Sequence, residues 1–258
     1  MGDQGKIARI PDTDMIQARY DRVDAPTPTK LLLIFSTPRS GSTMLCDRLW
    51  ALGYAHAHEY LQDSQYLQIL AGRWPFLSRT REIDWQEFAS ALAAHRTSDN
   101  GVLGINVHGE HVGRLARLWP HLSGLETTAI RIHRRDRAAQ ALSFAEALQT
   151  ENWSADFEPQ GEARYDFNQT RRCIERIAWQ EFRSDAFLNE VGLTARSLHY
   201  EDFVSDEAAH LADLTGLSAA DVADMLAARQ ETGLKRQADP GARRRLAARF
   251  LGDAVTLS

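Results

Sequence analysis

Short apolar runs alternate with longer helical patterns along this chain, and the alternation constrains its fold more than any other feature. The apolar runs are LLLIFS (residues 31–36), GVLGINVH (101–108), TTAIRIH (127–133) and ARSLHY (195–200). The helical patterns cover residues 44–52, 85–96, 110–119, 136–149 and 167–190, with short helices over 206–250. Strands joined through helices of this length need crossover connections, so the sheet should be mainly parallel with both faces covered. We therefore predict a three-layer α/β fold.

The polar segment that precedes the first strand contains three prolines, Pro11, Pro26 and Pro28. Because proline interrupts regular structure, this composition predicts an N-terminal arm over residues 1–30. The alternation then continues towards the end of the chain without an internal repeat. We expect a single domain over residues 31–258.

Charge and composition exclude several kinds of partner. Lysine and arginine total 30 against 35 acidic residues, a net charge of −5, so a nucleic-acid partner is not expected and any anion binding must be local. The two cysteines, Cys46 and Cys173, lie in helical patterns and indicate neither a disulfide framework nor a metal site. The longest apolar run is too short to span a membrane, and the start of the chain lacks a signal-like core. We expect a cytoplasmic protein.

The loop STPRSGST (residues 36–43) joins the first strand to the first helix. Gly41 permits a tight turn, and free backbone N–H groups of residues 40–43 are expected to face the region above the strand, at the positive end of the helix. Further donors are the side chains of Arg39, Ser40, Ser42 and Thr43. The pattern predicts a phosphate site, although an ordinary turn with a hydroxyl cap fits the loop equally well.

One position in this loop separates it from the phosphate loop of ATPases. That loop has a lysine directly before its last serine or threonine, whereas this chain has Ser42 there. A metal-dependent nucleotide hydrolase or kinase is therefore the less favoured alternative.

A second basic motif, HRRDRAAQALSF (residues 133–144), follows the third strand. Arg134 at the strand end and Ser143 on the next helix can grip a second phosphate, whereas Arg135 and Arg137 fit a solvated face. Ligands of open parallel sheets bind beyond the carboxyl ends of the strands, so both motifs should line one crevice. Two anion sites in one crevice indicate a nucleotide phosphorylated at both ends.

These two motifs resemble the 5′-phosphosulfate loop and the 3′-phosphate motif of sulfotransferases. Their particular form resembles the bacterial trehalose 2-sulfotransferase (Stf0-type) family. Three further family motifs follow in order, as HEY (58–60), QTENW (149–153) and RQAD (236–239). The resemblance extends from about residue 31 to residue 250, which is most of the chain.

The resemblance implies a P-loop-like sulfotransferase fold that uses 3′-phosphoadenosine 5′-phosphosulfate (PAPS) as co-substrate, without a metal. The implied acceptor is a small molecule with a hydroxyl group, a carbohydrate or a glycolipid precursor, and a homodimer is compatible with the sequence. The 5′-phosphosulfate would be held by Arg39, Ser40, Gly41, Ser42 and Thr43. The 3′-phosphate would be held by Arg134 and Ser143, with Arg236 closing over the nucleotide.

Two catalytic residues are implied as well. Arg39 would neutralise the oxygen that departs with the nucleotide, and Glu59 occupies the position of the family's proposed base. His58 and His108 are rival bases, because other sulfotransferases use histidine. The alternative from another class is a non-catalytic nucleotide-binding protein of the same fold.

Two features of the acceptor side depart from the family pattern. Asn106 stands where the family usually has a lysine, and one residue fewer separates Gly53 from Glu59. The acceptor's identity is therefore left open. Tyr200, which follows the last predicted strand, is expected to pack near the crevice.

Overall fold

The computed structural model describes residues 10–63, 65–153, 157, 160–228 and 240–256. Within them one parallel sheet has the strand order β2-β1-β3-β4. Its strands are β1 (Lys30–Ser36), β2 (Val102–His108), β3 (Glu126–His133) and β4 (Ala195–His199). Each strand coincides with one of the predicted apolar runs, and the predicted parallel α/β fold is confirmed.

Helices cover both faces of this sheet. In the described part of the chain they are α1 (Ser42–Ala51), α2 (Tyr66–Ala71), α3 (Trp85–Arg96), α4 (Val112–Leu118), α5 (Arg137–Thr150), α6 (Phe167–Glu190), α7 (Tyr200–Ser205), α8 (Glu207–Thr215), α9 (Ala219–Ala228) and α10 (Pro240–Thr256). Short 3₁₀ turns occur at Ala18–Tyr20, Gly109–His111 and Trp119–His121. None of the described helices is both long enough and apolar enough to cross a membrane.

The central strand β1 contributes to two apolar cores. Leu31, Leu33 and Phe35 pack on one face with residues of α3, α4 and α6. Leu32 and Ile34 pack on the other face with residues of α1. Because successive side chains of a strand point to opposite faces, a strand buried on both sides is apolar throughout. That arrangement explains why β1 is the most apolar run of the sequence.

The carboxyl ends of all four strands meet at one edge of the sheet. Ser36 at the end of β1 pairs with His108 of β2, and His133 of β3 pairs with His199 of β4. The chain moves from β1 to β2 on one side and then crosses to β3 on the other side of β1. Such a reversal opens a crevice beyond the strand ends, and the candidate site lies there.

The described part of the N-terminal segment packs against the domain. Ile16 is fully buried in the larger apolar core. The carboxylate of Asp21 accepts hydrogen bonds from Arg73 and from Arg96, which is itself completely buried. The boundary at residue 30 stays a prediction, but residues 10–29 contribute to the packed structure.

Candidate active site

The loop after β1 turns through two residues with left-handed backbone. The N–H of Ser40 donates to the carbonyl of Thr37 at 3.1 Å, which places Pro38 and Arg39 in the middle of a four-residue turn. Arg39 has a φ of 64°. Proline second and a positive φ third are typical of a type II turn. The expectation that the Ser40 N–H is free was therefore wrong, because it closes this turn.

The next three backbone donors of the loop have no partner among the residues that the structure describes. Gly41 is the N-cap of α1, with a φ of 97° and no side-chain cap. The N–H groups of Gly41, Ser42 and Thr43 donate to no group in the described part of the chain. They leave the predicted anion site at the start of α1 with three backbone donors. The hydroxyl of Ser40 is fully buried and also lacks a partner there.

Gly41 is required for space as well as for conformation. A Cβ at this position would lie 2.3 Å from Cδ2 of Tyr200, the first residue of α7. The ring of Tyr200 thus packs directly on the loop, as the sequence predicted. The guanidinium of Arg134 lies over the same ring, 4.7 Å from its centroid.

The two basic motifs meet in this crevice. Nε of Arg39 donates to Oγ of Ser143 at 3.0 Å, and Nη1 of Arg134 donates to the carbonyl of Arg39 at 3.3 Å. Arg39 also donates to the carbonyl of Trp153. The motifs predict that Arg39 and Ser143 bind different ends of a nucleotide, and the structure places the two side chains in contact. Arg236 lies outside the described residues.

Gln140 of α5 holds the loop in place, and it was not among the predicted site residues. Its fully buried amide nitrogen donates to Oγ1 of Thr37 at 2.9 Å and to the carbonyl of Pro38 at 2.8 Å. The sequence could have indicated this residue, because Gln140 precedes Ser143 by three positions and so lies on the same face of the helix.

The crevice carries positive charge that the described residues do not balance. Neither Arg39 nor Arg134 forms an ion pair within them. Burial lowers the pKa of Arg39; Glu146 opposes that shift, while Arg243 and Arg134 add to it. An arginine stays protonated under such a shift, so its charge is held in a partly dehydrated place. An anion is the ligand that this arrangement favours.

Glu59 lies on the other side of the phosphate loop, next to β2. The N–H of Asn106 donates to the carbonyl of His58 at 2.9 Å, which fixes the backbone beside that strand. Oε2 of Glu59 lies 3.4 Å from Nδ1 of His108. The pKa of the Cys46 thiol is raised, first by burial and then by Glu59. The carboxylate is therefore close to the first turns of α1.

The rival histidines have other environments. Nε2 of His58 lies 3.0 Å from Oδ1 of Asp14, in the N-terminal segment. The ring of His111 is parallel to that of His108, with centroids 5.5 Å apart and an interplanar angle of 10°. Burial, followed by the influence of His108 and Arg114, lowers the pKa of His111 to about 2. His111 is therefore uncharged at ordinary pH.

Asn106, which replaces the family's lysine, has a partner. Oγ of Ser36 donates to its Oδ1 at 2.7 Å, and both residues are buried.

Within the described part of the chain no cluster of three or more histidine, cysteine, aspartate or glutamate side chains is arranged to hold a metal ion.

The chain matches a known protein family and resembles one solved structure. The family model described as Stf0 sulphotransferase matches residues 32–251. Among solved structures, the sulfotransferase domain of the olefin synthase from Synechococcus PCC 7002 is similar, at 17% identity and a TM-score of 0.43, over 88% of this chain and 89% of that one. A comparison with curated proteins gives no match.

Proposed function

Since this chain belongs to the Stf0 sulphotransferase family and is a sulfotransferase, we propose that it transfers the sulfuryl group of PAPS to a hydroxyl of a carbohydrate or a glycolipid precursor. The observation that carries the proposal is the crevice in which Arg39, Arg134 and Ser143 meet beside the free donors of the phosphate loop. A cytoplasmic location and a homodimer are part of the proposal.

The donor's two charged ends match the two anion sites. The 5′-phosphosulfate would bind the N–H groups and hydroxyls at the start of α1, with the buried Oγ of Ser40 among them. The 3′-phosphate would bind Arg134 and Ser143. Because Oγ of Ser143 accepts from Arg39, its own O–H is available as a donor to that phosphate. Arg236 is proposed to close over the nucleotide.

The reaction is a displacement at sulfur. The acceptor oxygen forms a bond to sulfur while the bond between sulfur and the 5′-phosphate oxygen breaks, and its electron pair leaves on that phosphate. Arg39 would stabilise the negative charge that develops there. The acceptor O–H gives its proton to the Glu59 carboxylate. The acceptor therefore binds on the Glu59 side of the loop.

The experiment has two arms. Calorimetry with 3′-phosphoadenosine 5′-phosphate (PAP) measures nucleotide binding, and labelled PAPS with a panel of sugars and lipid-linked sugars measures transfer. We expect PAP to bind and one class of acceptor to be labelled. If PAP does not bind, the donor assignment is wrong. If PAP binds tightly and no label is transferred, the protein binds the nucleotide without catalysis.

A further inference from the structure

We propose that His108 positions the Glu59 carboxylate through a neutral imidazole that carries its proton on Nδ1. The inference rests on the proposed function, because it concerns the base of the same reaction. His108 ends β2 and is buried, and its Nδ1 lies 3.4 Å from Oε2 of Glu59. His108 does not contact the reacting atoms in this proposal, and it acts through Glu59.

The ring of His108 is fixed before any substrate binds. Its backbone is paired with Ser36 of the neighbouring strand β1, at the carboxyl edge of the sheet. One face of the ring is parallel to the ring of His111, which is uncharged and so does not compete for the carboxylate. Since a strand end is a more rigid support than a loop, His108 can hold Glu59 in one orientation.

The surroundings of the two ring nitrogens decide which one carries the proton. Nε2 is buried and has no hydrogen-bond partner in the described part of the chain, whereas Nδ1 faces a carboxylate oxygen. A proton on Nε2 would leave a buried donor unpaired and would place two lone pairs, on Nδ1 and on Oε2, against each other. A proton on Nδ1 avoids both costs, because the Glu59 carboxylate lies 3.4 Å from that nitrogen.

This arrangement divides the work of the two carboxylate oxygens. Oε2 is the oxygen that lies 3.4 Å from Nδ1 of His108, which leaves Oε1 for the acceptor. The backbone of the preceding residue is held to β2, because the N–H of Asn106 donates to the carbonyl of His58. Oε1 is thus the oxygen that takes the acceptor proton, in an orientation that His108 sets.

The tautomer can be tested without knowledge of the acceptor. Long-range proton–nitrogen NMR spectra of histidine-labelled protein distinguish the two tautomers, and the signals that disappear in His108→Gln identify this ring. We expect the Nδ1 of His108 to be protonated. An unprotonated Nδ1 would overturn the proposal.

A pair of substitutions tests the consequence for catalysis. His108→Asn keeps a donor near the position of Nδ1, and His108→Gln moves the donor to the position of Nε2. With labelled PAPS, and with trehalose, glucose and water as acceptors, we expect His108→Asn to keep kcat within about threefold and His108→Gln to lower it roughly 10- to 100-fold. The KM for PAPS should not change in either variant.

The control is His121→Asn, at an exposed histidine after α4, which should behave like the parent. Equal losses in His108→Asn and His108→Gln contradict a positioning role, since both then report a base or a structural residue. The proposed function fails separately, because PAP binding to the parent chain tests it and does not involve His108.

Discussion

The two sides of the phosphate loop differ in the charge and in the contacts of their side chains. On the donor side, Arg39 and Arg134 contact backbone carbonyls, a serine and an aromatic ring, and no described carboxylate pairs with them. On the acceptor side Ser36 donates to Asn106, and the Glu59 carboxylate lies 3.4 Å from the ring of His108. The donor side therefore holds charge ready for an anion, whereas the acceptor side holds oriented groups for a neutral hydroxyl.

The largest expected effect belongs to the acceptor side. Glu59→Gln keeps the size of the side chain and removes its basicity, so turnover should fall by roughly 10² to 10⁴. Because the Glu59 carboxylate does not contact Arg39 or Arg134, the affinity for PAP should stay the same. Transfer of label from PAPS and calorimetry with PAP measure the two quantities.

A matched control for this variant is Glu87→Gln, at an exposed position in the first turn of α3. Parental turnover in Glu59→Gln would remove Glu59 as the base. If turnover falls strongly in His58→Gln instead, His58 is the base. The two sides then do not differ in the way described.

The next effect belongs to the donor side. If Arg134 and Ser143 bind the 3′-phosphate, PAP should bind more tightly than adenosine 5′-phosphate by roughly 2 to 4 kcal/mol, because losing the phosphate leaves charged donors unpaired. Arg134→Gln should abolish most of this difference. Calorimetry with the two nucleotides provides the measurement.

The neighbouring arginine supplies the control. Arg135 is exposed and forms a two-pronged pair with Asp202, at 2.6 Å for each contact. Arg135→Gln should therefore keep the discrimination between the two nucleotides. Equal affinities of the parent for both nucleotides would eliminate the second anion site.

A third effect concerns the loop that separates the two sides. Gly41→Ala places a Cβ 2.3 Å from the Tyr200 ring at a φ of 97°. We expect a loss of about 1 to 3 kcal/mol in the free energy of unfolding, measured in urea, with weaker PAP binding. In the control Gly124→Ala, the added Cβ meets no atom within 4 Å. Equal stability of the two variants would show that the loop tolerates this contact.

The strands and most helices were predicted well, because the pattern of apolar residues within each segment specifies them. The predicted strand at residues 31–36 is β1, and α6 has the predicted bounds, with the Asp166 side chain accepting from the N–H of Gln169 at the helix start. The helix Tyr66–Ala71 was missed, since six residues are too few to show a helical period.

The site was predictable on one side only. Short contiguous motifs carry the donor residues, and parallel strands bring such motifs together. The acceptor contacts join distant segments, so Asp14 with His58 and Glu59 with His108 had no local signature. Even in the phosphate loop, the N–H of Ser40 was assigned to a ligand, because the turn that uses it depends on the φ of Arg39.

The smallest expected effect is an acid sensitivity of stability that arises at His111, beside His108 on the acceptor side. The pKa of His111 is lowered from 6.5 to about 2, so the folded protein keeps this ring neutral while the unfolded chain protonates it below pH 6.5. The unfolded state then binds more protons, and stability is lost as the pH falls from 6.5 towards 2. Between pH 6.5 and 5.5 the loss due to His111 should be about 1 kcal/mol. His111→Gln does not titrate, so its unfolding free energy should fall less steeply by that amount in urea titrations at the two pH values. Identical slopes would show that His111 titrates in the fold as it does in the unfolded chain, and the acceptor side would then gain positive charge in acid.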